Sequence, residues 1–138
     1  MFPLDTKFLV VDDFSTMRKI VKKVLTELGY TNIEEAEDGK PALELLQKRQ
    51  GEGQPFQFVI SDWNMPGMTG IDLLKACKVD PNLKHIPFML VTAESEQKNI
   101  LEAAKAGVSD YVVKPFNAVT LKGKLEKIYQ KHSSAQAA

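Results

Sequence analysis

The sequence predicts a three-layer α/β sandwich, with five mostly parallel strands in one sheet and helices on both faces. Three observations predict it. Short apolar runs such as Phe8-Leu9-Val10-Val11 and Phe88-Met89-Leu90-Val91 show no alternation, as expected of strands covered on both faces of a parallel sheet. Between such runs, apolar residues recur at helical spacing, so strand and helix alternate along the chain. A length of 138 residues suits one ordinary domain, which buries about two thirds of its unfolded surface without disulfides or a metal staple. A single domain is expected over residues 1–132, and residues 133–138, without a large apolar side chain, read as a disordered tail.

The first strand, around Phe8 and Val11, ends on Asp12-Asp13. Ser15 offers an N-cap, and Met17, Ile20, Val21, Val24, Leu25 and Leu28 keep helical spacing until Gly29 closes the first helix. A short second strand centres on Ile33, and Asp38-Gly39 turns into a helix with Pro41 near its start and Ala42, Leu45 and Leu46 inward. Residues 49–55 are polar and rich in breakers, and read as a surface loop at the sheet edge opposite Asp62.

The third strand, Phe58-Val59-Ile60-Ser61, ends on Asp62. Pro66, Gly67 and Gly70 then lead into a third helix marked by Ile71, Leu74, Ala76 and Cys77 and stopped near Asp80-Pro81. The fourth strand ends on Thr92. A fourth helix, roughly residues 96–106, offers only Ile100, Leu101 and Ala104 as an apolar face and is expected to be weakly anchored and mobile. The fifth strand, Tyr111-Val112-Val113, ends on Lys114-Pro115, and Leu121, Leu125, Ile128 and Tyr129 mark the last helix.

Lys plus Arg balances Asp plus Glu at 18 each, so the overall charge suggests neither nucleic acid nor an acidic membrane as partner. Cys77 is the single cysteine and cannot form an internal disulfide, which fits a reducing, cytoplasmic setting. No apolar run reaches membrane-spanning length, and residues 1–7 do not read as a leader.

The predicted strand ends share one sheet edge, and they carry Asp12, Asp13, Asp62, Thr92 and Lys114. Each residue alone has an ordinary local explanation as a turn former, packed hydroxyl or solvated amine. Three acids, a hydroxyl and an amine gathered at one edge suggest a site. Clustered carboxylates repel and call for a cation or a shared proton, and an all-oxygen set suits Mg²⁺ or Mn²⁺ rather than Zn²⁺. His85 precedes the fourth strand at the opposite edge and His132 lies near the tail, so neither reads as a ligand. Metal, ammonium, hydroxyl and reactive carboxylate together suit a phosphoryl group, the carboxylate attacking in line. No GxxxxGK[ST] loop is present to hold a nucleotide, so the donor is expected to be of another kind.

These residues closely resemble bacterial two-component response regulator receiver domains, within them the CheY branch of single-domain chemotaxis regulators. The resemblance runs through residues 8–18, which include Asp12-Asp13-Phe14-Ser15-Thr16-Met17-Arg18, residues 34–39, Ser61-Asp62-Trp63-Asn64-Met65-Pro66, Val91-Thr92-Ala93-Glu94 and residues 111–116. It implies a flavodoxin-like, doubly wound fold and a phosphoacceptor rather than an enzyme with its own substrate, assisting only its own phosphorylation and dephosphorylation. Asp62 would accept phosphate from a chemotaxis histidine kinase, with Mg²⁺ held by Asp13, Asp62 and the backbone carbonyl of Asn64, and with Asp12 acting through metal-bound water. Lys114 would contact the phosphoryl group, and its bond to Pro115 is expected to be cis. Thr92 would move toward the phosphoryl oxygen and let Tyr111 turn inward.

The same resemblance implies that the face of helix four, strand five and helix five, with Glu96, Gln97, Tyr111 and Lys124, meets the flagellar motor switch protein. It implies a monomer and admits a phosphatase as a further partner. Three departures stand out. Glu96-Gln97 replace basic residues usual in the branch, Asp110 replaces a usual Gly, and the loop containing Gly51 and Pro55 is longer. The first of these supports an alternative role as a phosphate sink or relay that does not bind the motor. An aspartate-nucleophile phosphatase fits poorly, because such enzymes carry a second acid two residues after the nucleophile, whereas Asp12 and Asp13 are adjacent.

Overall fold

In the computed structural model, which describes residues 2–93, 97–114 and 116–137, strands and helices alternate strictly. They are β1 (Phe8–Val11), α1 (Ser15–Glu27), β2 (Ile33–Ala36), α2 (Gly39–Gly51), β3 (Phe58–Asp62), α3 (Gly70–Val79), β4 (Phe88–Thr92), α4 (Gln97–Ala106), β5 (Asp110–Val113) and α5 (Ala118–Ala137). The sheet has the order β2-β1-β3-β4-β5, and every neighbouring pair is parallel. The three-layer parallel α/β sandwich expected from the apolar runs is the fold observed.

Side-chain alternation along the strands divides the core in two. Phe8 and Val10 of β1, Phe58 and Ile60 of β3, and Met89 and Val91 of β4 point to the face covered by α1 and α5, where they meet Val21, Val24, Leu25, Leu121, Leu125 and Ile128. Leu9, Val11, Val59, Phe88 and Leu90 point to the other face and pack on Ala42, Leu46, Leu73, Leu74 and Ala103 of α2, α3 and α4. Burial on both faces is why these strands read as continuous hydrophobic stretches. At the amino-terminal rim, Phe2 packs edge-on against Phe58 and Tyr129, and the Tyr30 hydroxyl donates to the Phe2 carbonyl at 2.9 Å.

The structure corrects several local expectations. Ser15 is the first helical residue of α1, while Phe14 occupies the cap without a side-chain bond and donates its N–H to Asp12 Oδ1 instead. Ile20 is exposed, because Val21, Val24 and Leu25 already fill the side of α1 that faces the sheet. The helix α2 continues through Arg49 and Gln50 to Gly51, since Arg49 is pinned by Glu34 and Glu52. On α4 it is Ala103 that is buried, whereas Leu101 and Ala104 face outward. The helical backbone of α5 runs on to Ala137.

Candidate functional site

Strand order reverses between β1 and β3, because the chain leaves β1 for the edge strand β2 before returning to β3 on the other side. In an open α/β sheet the carboxyl ends of the strands beside such a reversal are the usual place for a ligand. Asp12 and Asp13 follow β1 there, Asp62 ends β3, Thr92 ends β4 and Lys114 follows β5. Asp12, Asp62 and Thr92 are buried and Asp13 is half-buried.

Local structure fixes each acid. The carboxylate of Asp12 accepts the N–H of Phe14 at 3.0 Å, which turns the chain into α1. The Asp12 carbonyl accepts a 2.7 Å bond from Arg18 Nη1, and Arg18 Nε is itself bonded to Glu35. At Asp62, Oδ1 accepts from the Trp63 N–H at 3.0 Å and from Lys114 Nζ at 3.1 Å. Lys114 Nζ also lies 3.7 Å from Asp12 Oδ2, and its backbone N–H donates to the Thr92 carbonyl at 2.7 Å.

The loop after Asp62 is closed by Gly70, whose N–H donates to the Trp63 carbonyl at 2.9 Å. A Cβ at Gly70 would collide with the Asp62 carbonyl, so only glycine lets α3 start this close to β3. Thr69 then caps α3 by accepting the Asp72 N–H.

One oxygen from each of Asp12, Asp13 and Asp62 can be chosen so that all three lie within 4.8 Å of one another. Burial holds the Asp12 carboxyl above the usual carboxylate range; the Phe14 N–H opposes this, and the Asp62 charge adds to it. Burial likewise raises Asp62, against the hydrogen bond and charge of Lys114. Asp13 Oδ1 is buried and accepts no hydrogen bond among the described residues. A buried anionic oxygen without a donor, beside two more carboxylates, fits a hard divalent cation such as Mg²⁺.

The expected site residues Asp12, Asp13, Asp62, Thr92 and Lys114 thus meet at one edge. Asn64 lies in the loop that follows Asp62. Tyr111, half-buried at the start of β5, has Lys124 Nζ 5.1 Å from its ring centroid. Glu96 and Pro115 lie outside the described residues, as does the Gln97 side chain, although Gln97 opens α4. His85 is exposed at the opposite rim, where it borders a cavity of about 420 Å³ with Phe2, Phe56 and Tyr129.

Two positions contribute to the site without having been expected as site residues. Gly70 seats α3 against Asp62, as described. Arg18 anchors the Asp12 carbonyl, and its signal was a cation near the start of a helix, where the helix dipole disfavours positive charge unless an acceptor is close.

Residues 8–126 match the response regulator receiver domain. The chain is 55% identical over 125 residues to chemotaxis protein CheY-3 of Vibrio cholerae, spanning 91% of this chain and 92% of the relative. Chemotaxis protein CheY of Pseudomonas aeruginosa is also 55% identical, over 91% of this chain and 97% of its own. Among solved structures, Vibrio cholerae CheY4 superposes with a TM-score of 0.80 at 35% identity, covering 90% of this chain and 98% of that one. The receiver domain of an HD domain-containing protein from Pseudomonas fluorescens gives a TM-score of 0.80 at 26% identity, covering 94% and 98%. By its matched residues, its relatives and its fold, the chain belongs to the response regulator receiver domain family.

Proposed function

We propose that Asp62 accepts a phosphoryl group from a chemotaxis histidine kinase and that the phosphorylated chain signals to the flagellar motor switch. The observation that carries this reading is the Lys114 ammonium, 3.1 Å from Asp62 Oδ1 within a cluster of three carboxylates at the ligand-binding edge of the sheet. An Asp62 oxygen forms the new P–O bond as the donor's P–N bond breaks, and the electron pair leaves with the imidazole nitrogen. Trp63 N–H and Lys114 orient the carboxylate before attack. Lys114 then offsets charge on the phosphoryl oxygens, and Thr92 supplies a hydroxyl to one of them.

Asp12, Asp13, Asp62 and the Asn64 backbone carbonyl would hold Mg²⁺. When bound, it neutralises the clustered acids and the incoming phosphoryl charge. Thr92 and Tyr111 form the switch, a two-state element that the covalent phosphate biases toward the active form. The output face comprises Glu96, Gln97, Tyr111 and Lys124. On this reading the chain is no independent enzyme, functions as a cytoplasmic monomer, and has residues 1–132 as its one functional domain.

The decisive experiment is binding of the motor switch protein's amino-terminal peptide with and without beryllofluoride and Mg²⁺. Tightening on activation is expected. Glu96-Gln97 in the sequence favour a second reading, a phosphate sink, which is supported if beryllofluoride activates the chain and the peptide still does not bind.

A further inference from the structure

Asp110 opens β5 one residue before Tyr111, and its carboxylate is turned inward, with a side chain 10% exposed. Oδ1 accepts the Tyr111 N–H at 2.8 Å and Lys124 Nζ at 3.3 Å. Lys127 Nζ stands 3.9 Å from Oδ2, a buried oxygen that accepts no hydrogen bond among the described residues. Lys124 is the same lysine that lies over the Tyr111 ring. One carboxylate therefore gathers two lysines of α5 and holds one of them against the aromatic ring.

The outward part of α5 is basic, with Lys122, Lys124, Lys127 and Lys131 set against Glu126. A surface of this charge attracts an acidic segment. We propose that Asp110 is an internal competitor for that segment: it holds Lys124, and more loosely Lys127, so an acidic partner gains Lys124 only by displacing the Asp110 carboxylate. The inference rests on the reading of this face as the output surface and adds a residue that sets its selectivity. The Lys124–Asp110 pair is partly sheltered, with the lysine side chain 28% exposed, so water and salt screen it less than a fully exposed pair. Drawing Lys124 away also uncovers the Tyr111 ring, so capture of the lysine and freedom of the ring to turn become one event.

Asp110→Asn separates this role from a structural one, because its amide oxygen still accepts the Tyr111 N–H while the charge is gone. Two measurements on the full chain test it. In the first, acetic anhydride labelling read by mass spectrometry is expected to modify Lys124 about threefold to fivefold faster in Asp110→Asn, with Lys122 as the internal reference. In the second, a polyglutamate peptide at low salt is expected to bind Asp110→Asn about threefold to fivefold more tightly, and this gain is expected to vanish in the Lys124→Met background. Unchanged Lys124 labelling overturns the clamp, and equal polyglutamate affinity overturns the competition. If the motor switch peptide binds no variant while the polyglutamate gain persists, the motor reading fails and the Asp110 inference stands.

Discussion

Lys114 donates to Asp62 Oδ1 across 3.1 Å, tying the loop after β5 to the end of β3. Replacing it strands two buried carboxylates beside Asp13 without their counter-charge. Lys114→Met should lower metal-free stability by about 2 kcal/mol and slow phosphorylation by acetyl phosphate at least about tenfold. Asp62→Asn should abolish phosphate uptake. Chemical denaturation and intact-mass measurement check both variants.

The acid cluster carries the opposite expectation for Asp13. Its charge opposes ionisation of both Asp12 and Asp62, and its own Oδ1 has no donor among the described residues. Mg²⁺ should therefore raise the melting temperature of the native sequence. Asp13→Ala should gain about 1 kcal/mol of metal-free stability and lose the Mg²⁺ increment. Melting that does not respond to Mg²⁺ would contradict this.

Trp63, the only tryptophan, adjoins Asp62 and donates its backbone N–H to that carboxylate. Its fluorescence should change on addition of Mg²⁺ and again with a small phosphodonor. The second change should be absent in Asp62→Asn.

Gly70 and Gly123 should respond oppositely to alanine. At Gly70 the new methyl meets the Asp62 carbonyl, so Gly70→Ala should cost about 2 kcal/mol and slow phosphorylation by shifting the end of β3. Gly123 sits in α5 with no atom in the way, and Gly123→Ala should add about 0.5–1 kcal/mol and leave phosphorylation unchanged. Urea unfolding curves distinguish the two.

Glu34 provides a pH test far from the site. Hydrogen bonds from Arg49 and Lys7 hold its carboxyl down to about 2, from an ordinary value of 4.5. A lowered folded value means the stabilisation is complete above pH 4.5 and is lost as pH falls toward 2. Glu34→Gln should cost about 1 kcal/mol near neutrality, and its difference from the native sequence should disappear across that interval.

The fold was legible because the strands that matter are covered on both faces. Phe8, Leu9, Val10 and Val11 alternate between two different cores, so their apolar run marks a central parallel strand directly. The acids and Lys114 were legible for a related reason: once strand order is known, all strand ends fall on one edge. Contacts made by long side chains across elements were not legible. Arg18 reaches the Asp12 carbonyl from α1, and Lys124 reaches Asp110 from α5, at separations that no local pattern encodes. The α4 face was misjudged because Leu101 and Ala104 fit a helical stripe as well as Ala103 does, and only packing on α3 and the sheet selects Ala103. Capping at α1 was missed because Asp12 serves the Phe14 N–H, which makes the hydroxyl of Ser15 unnecessary there.

With the candidate site at one rim, the other is open to engineering. Between α2 and β3, residues 52–55 are exposed, Gly53 takes a φ of +74°, and only Phe56 beyond them is sunk in the core. A fluorescent protein grafted after Gly53 would be anchored on either side by α2 and Phe56, at the end of the sheet remote from Asp62. Such a fusion would report where the chain resides in a living cell while leaving Asp62, the proposed phosphoacceptor, unobstructed.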